Sequence, residues 1–94
     1  MAEYKFDGKE LRNRSGTKIG VLDGKYIRDG HGSKVGEIND KYFRDSHGNK
    51  VAEFNGKEIR NPNGAKIGTI DDVKKSIDGI GGDSLVAMWL FFVH

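Results

Sequence analysis

Apolar residues recur along this chain at fixed places. Phe6, Leu22, Ile38, Phe54 and Ile70 stand sixteen residues apart, and most positions between them repeat too. Four units follow without a gap: DGKELRNRSGTKIGVL (7–22), DGKYIRDGHGSKVGEI (23–38), NDKYFRDSHGNKVAEF (39–54) and NGKEIRNPNGAKIGTI (55–70). A fixed period this short implies stacked or ring-arranged copies of one small supersecondary unit. It also assigns most recurring residues to architecture, which removes them as evidence for chemistry.

Each unit reads as strand, turn, strand, turn. In the second, Lys25–Arg28 and Lys34–Ile38 flank Asp29-Gly30-His31-Gly32. Asp, Asn or Ser opening a four-residue turn closed by Gly suits a type I turn, and Gly16, Gly32, Gly48 and Gly64 keep that closing position. The links between units, Asp23-Gly24, Asn39-Asp40 and Asn55-Gly56, with Asp7-Gly8 before the first, are short hairpin signals. The expected register sets Ile27 opposite Val35, Tyr26 opposite Gly36 and Lys25 opposite Glu37. It also sets Arg28 opposite Lys34, a like-charge pair that Asp29 or a bound anion is expected to relieve.

Glu3–Phe6 fills the slots that Val-Gly-Glu-Ile fills later, so it is a half-unit without its first strand. The missing partner is expected from the C-terminal region, which closes a ring and removes exposed edge strands. After Ile70 the pattern breaks. Asp71–Gly79 reads as a short helix, with acids in its first turn and Gly79 just past its end. Gly79–Gly82 reads as a flexible joint. Leu85–Val93 is apolar on every side and too short for the ~20 residues a bilayer span needs. It is expected to be buried at the centre of the ring. Strand and helix both fit it, with a slight preference for strand, since it would then complete the fifth hairpin.

The expected fold is therefore all-β: a closed pseudo-five-fold ring of β-hairpin repeats with a short helix and a buried apolar C-terminal segment. Residues 1–94 make one domain, divided into a half-repeat (1–6), the four repeats and a closing segment (71–94). With 35% hydrophobic and 32% charged residues, the chain is of soluble globular type. It has no cysteine, hence no disulfide or thiolate site. MAEYKFDGKE has no signal-peptide core, and a cytoplasmic location is expected. The net charge of +2 comes from interleaved cations and acids, which argues against nucleic acid.

The iterated IRDxxGxKVGEIxDG pattern and the closing IDGIGGDSLVAMWLFF resemble the small bacterial proteins described as five-fold beta-flower proteins. The resemblance spans nearly the whole chain and implies the fold. It brings no catalytic or binding residues, because the family is uncharacterised. A weaker likeness, to the tyrosine-aspartate repeats of bacterial toxin shells, lacks the sixteen-residue period.

Among the repeated residues, the arginine column (Arg12, Arg28, Arg44, Arg60) is the leading binding candidate, with Lys18, Lys34, Lys50 and Lys66 beside it. Arginine takes carboxylate and phosphate bidentately, so the column could hold an anionic ligand or a protein surface. The bland alternative pairs each Arg with a neighbouring acid while its stem covers apolar surface. His31 and His47 share one turn position with Ser15 and Asn63, which reads as generic turn polarity; no metal or other cofactor is expected. Gly79–Ser84 lacks the context of a phosphate-cradling loop. Tyr26 and Tyr42 are expected to pack over Gly36 and Ala52. No catalytic constellation appears, so the expectation is a non-enzymatic structural or protein-interaction module. The alternative is a binder of an anionic ligand or glycan through the Arg/Lys column.

Overall fold

The turns are built from their own residues. In the second unit, Gly32 N–H donates to the Asp29 carbonyl at 3.1 Å, and the Asp29 carboxylate accepts from His31 N–H at 2.8 Å and Ser33 N–H at 3.0 Å. Gly32 sits at φ +92, a conformation that costs glycine nothing sterically. The same turn recurs after Asn13, Asp45 and Asn61. At the links, Asn39-Asp40 places Asp40 at φ 60 where the other three links have glycine. Short Asx side chains tolerate this region better than other non-glycine residues.

These turns order a computed structural model that describes residues 3–79 and 82–94. Nine strands precede the first helix: β1 (Tyr4–Phe6), β2 (Glu10–Arg12), β3 (Lys18–Asp23), β4 (Tyr26–Asp29), β5 (Lys34–Asn39), β6 (Tyr42–Asp45), β7 (Lys50–Phe54), β8 (Glu58–Arg60) and β9 (Lys66–Thr69). Helix α1 (Ile70–Ser76), strand β10 (Ile77–Gly79) and helix α2 (Asp83–Met88) follow, and α2 runs into one wide π turn over Trp89–Val93. All ten strands belong to one sheet, in the order β10-β1-β2-β3-β4-β5-β6-β7-β8-β9. The joint expected at Gly79–Gly82 includes Ile80 and Gly81, which lie outside the described residues.

The register differs from expectation by one residue over part of each hairpin. Ile27 pairs with Gly36 and Tyr26 with Glu37, while Arg28 does oppose Lys34. A bulge between Ile27 and Arg28 leaves Val35 without an opposite residue, and the same shift recurs in the other three units. The bulge turns the small residue inward. Gly20, Gly36, Ala52 and Gly68 thereby face the core, opposite Leu11, Ile27, Phe43 and Ile59, all four of them fully buried.

The C-terminal segment is buried as expected over Leu85–Trp89 but only half-buried over Leu90–Val93, and it is helical rather than extended. Leu85, Val86, Ala87 and Met88 have no exposure and Trp89 has 7%. Three aromatic rings reach from the π turn into three of the small-residue gaps. A methyl group at Gly20 would stand 2.5 Å from Phe92 Cε2, one at Gly68 2.7 Å from Trp89 Cη2, and one at Gly36 would enter the Phe91 ring. A strand could not supply this packing, since successive side chains would alternate between opposite faces.

The partner of β1 is therefore β10, not residues 85–93. It pairs in parallel, Tyr4 with Ile77 and Phe6 with Gly79. The helix expected over Asp71–Gly79 is shorter, because Thr69 and Asp72 form a capping box that starts it and the chain turns extended at Ile77. Strands β9 and β10 stand at the two ends of the strand order, joined covalently through α1, and the sheet is not closed by hydrogen bonds.

Candidate functional site

Alternation along the strands sends every second side chain to the face away from α2. The column positions lie there: Arg12 opposite Lys18, Arg28 opposite Lys34, Arg44 opposite Lys50 and Arg60 opposite Lys66. Register adds Lys5 beside Arg12, Glu37 beside Arg44 and Glu53 beside Arg60. With Glu10, Asp23, Glu58 and Asp78, the paired strand residues of this outer face carry nine cations against six carboxylates. That excess is larger than the +2 of the whole chain.

Each arginine is fixed by its own turn. Nη1 donates to the carbonyl of the turn-closing glycine: Arg12 to Gly16 at 2.9 Å, Arg28 to Gly32 at 3.0 Å, Arg44 to Gly48 at 3.0 Å and Arg60 to Gly64 at 2.8 Å. Three of the four also hold a carboxylate. Arg12 meets Glu10 at 2.7 Å and Arg60 meets Glu58 at 2.6 Å, both through Nη2. Arg28 meets Asp23 through Nε at 3.1 Å. The Arg28–Lys34 repulsion is thus relieved by Asp23 and the Gly32 carbonyl, not by Asp29, whose carboxylate serves its own turn. Exposed pairs of this kind contribute only about 0–1 kcal/mol each. Their consequence is to hold the guanidinium groups in place.

The tyrosines stand on this outer face too, not over the small residues as expected. Once the bulge shifts the register, Tyr26 faces Glu37 and Tyr42 faces Glu53. Lys34 lies 5.2 Å from the Tyr26 ring centre, and Lys50 lies 4.5 Å from that of Tyr42. These are cation–π distances. Tyr42, at 37%, is the exposed large apolar side chain among the described residues.

His31 and His47 are exposed at adjacent turn tips, with their backbone N–H groups held by Asp29 and Asp45. Among the described residues no three His, Cys, Asp or Glu side chains gather closely enough to hold a metal ion. The glutamates at 10 and 58 are the residues that the sequence reading left unassigned. Their signal was available: two residues before the arginine on a strand is the same face of the sheet.

The turn acids give a pH dependence. Asp29 is held below its ordinary value chiefly by the Ser33 N–H and then that of His31, and Asp45 chiefly by that of Asn49. A depressed carboxyl stabilises the fold above its unfolded value of about 3.9, and that contribution is lost as pH falls through the folded value. Units one and four place Asn13 and Asn61 in this slot and make the same backbone contacts. The double variant Asp29→Asn/Asp45→Asn should therefore keep the fold and melt with a shallower decline in Tm below pH 4. Identical acid limbs for variant and wild type would remove the turn acids from the account.

A nine-stranded meander of sixteen-residue hairpins with a tenth strand parallel to its first, packed against a C-terminal apolar helix, defines the class of protein. A family model described as 5-fold beta-flower protein matches residues 4–93. The chain belongs to the 5-fold beta-flower family, whose function is uncharacterised. No curated protein and no solved structure matches it. No helix among the described residues is long and apolar enough to cross a membrane.

Proposed function

We propose that this protein is a non-enzymatic interaction module that presents the outer face of its sheet to an acidic protein partner. In this reading α1 joins the two ends of the sheet into a pseudo-five-fold ring, and the ring is a rigid frame for one charged surface. The cation excess on that face is the observation that carries it. The arginines are held by the turn carbonyls before any partner arrives, so little side-chain entropy remains to be lost on binding. Electrostatic complementarity of this kind favours encounter and orientation, and it weakens with salt.

The test compares wild type with Lys34→Glu/Lys50→Glu/Lys66→Glu, three changes on the outer face, two at exposed positions and one at the half-buried Lys50. Each protein is immobilised and exposed to extract from its own source cells at two salt concentrations. Wild type is expected to retain discrete acidic proteins at low salt, and the variant, melting normally, is expected to lose them. Equal retention by both would end the proposal.

A second reading, binding of a small anion or a glycan by the Arg/Lys column, draws on the like-charge rows and on Tyr42 standing open beside Lys50. It gives direct binding of such ligands by purified protein, without any protein partner.

A further inference from the structure

We propose that Arg44 is the anchor of the outer face, taking an acidic side chain from a partner at the position where Glu10 and Glu58 sit in sibling repeats; this rests on the protein-interaction reading above. The repeats act as controls for one another. In units one and four a glutamate two residues before the arginine places its carboxylate on Nη2, at 2.7 and 2.6 Å. In unit two that slot is Tyr26, and the acid comes from the link instead, as Asp23 on Nε. Unit three has lost both suppliers: the slot is Tyr42 and the link is Asn39.

Arg44 accordingly makes the turn contact to Gly48 at 3.0 Å but has no carboxylate within ion-pair distance among the described residues. The donors that its siblings give to carboxylates, Nη2 in Arg12 and Arg60 and Nε in Arg28, have no such partner in Arg44 among the described residues. The charges facing it do not fill the gap. Glu37, opposite on β5, is drawn to Lys25 at 3.8 Å, and Lys50, opposite on β7, lies over the Tyr42 ring. An incoming carboxylate thus meets a guanidinium tied to its turn by one hydrogen bond, a second cation and an exposed aromatic face, with Glu37 and Glu53 as the acids alongside. Acidic side chains carried on a peptide suit all three.

The experiment follows the arginine Nε–H resonances during titration with a blocked tetraglutamate peptide, and in parallel with sodium acetate. Arg44 is expected to shift saturably with the peptide, and weakly in the same direction with acetate. Arg12, Arg28 and Arg60 should stay near their starting positions. Arg44→Gln should weaken peptide binding on the order of tenfold or more. Tyr42→Glu puts the sibling carboxylate back and is expected to abolish the Arg44 response while the protein still melts cooperatively. A response spread evenly over the four column arginines or shared equally by Arg14, no response at all, or one that survives Tyr42→Glu would overturn the assignment. A cellular partner retained equally by wild type and Arg44→Gln would remove this anchor and leave the face-level proposal standing.

Discussion

A chain ending at residue 84 is expected to show no cooperative melt. The deleted segment supplies Leu85, Val86 and Met88, each fully buried, and Trp89 at 7% exposure. Burying one such side chain stabilises by about 1.5–3 kcal/mol, so four of them approach the 5–15 kcal/mol that holds a typical domain. The loss is also geometric. The inward faces of Leu11, Ile27, Phe43 and Ile59 would lose the helix that covers them, and the glycines beside them have no side chains to fill the space. The strands are three to six residues long and cannot compensate through their ladders. Thermal unfolding followed by far-UV and near-UV circular dichroism checks this. A sharp transition in residues 1–84 would show that the sheet folds without its helix.

The second large effect comes from adding one methyl group. Gly36→Ala should lower Tm by on the order of 10–20 °C, the equivalent of ~2–3 kcal/mol of overpacking in a domain this small. The new Cβ would enter the Phe91 ring and also stand 2.7 Å from the Arg44 carbonyl oxygen, a backbone atom that cannot step aside. Gly20→Ala offers the contrast, because there the three nearest atoms all belong to the Phe92 ring, at 2.5, 2.8 and 3.0 Å. Phe92→Leu should therefore rescue Gly20→Ala in a double-mutant cycle, with a coupling of about 0.5–3 kcal/mol. Phe91→Leu should rescue Gly36→Ala only in part. Equal rescue at both sites would mean that the rings alone, and not the neighbouring strand, set the requirement for glycine. Unit three already shows the alternative solution: Ala52 stands at this position, fully buried, opposite Phe43.

The candidate surface was partly legible beforehand. The arginine column and its lysine neighbours were visible as sixteen-residue spacings, and the structure does place them on one face. Whether a given arginine is occupied was not visible, because Asp23 reaches Arg28 from a link turn while Glu10 and Glu58 reach theirs along the strand. That outcome depends on rotamers and on which carboxylates the turns have already engaged. Asp29, the expected partner of Arg28, was excluded by its own backbone contacts.

The sequence by itself determined the hairpin, its turns and its number of copies, since Asx-Gly chemistry and two-residue alternation act over a few neighbouring residues. It also determined that the C-terminal segment packs into the core, because a run apolar on every side has no stable exposed state. Only the tertiary structure decided that this run is helical: without polar positions it has no period, and the three gaps at Gly20, Gly36 and Gly68 select the form that reaches all of them. The same holds for the pairing of β1 with Ile77–Gly79 and for the bulge at Val35. Both are settled by what must fit between the sheet and the helix, a constraint that exists only once the distant parts of the chain have met.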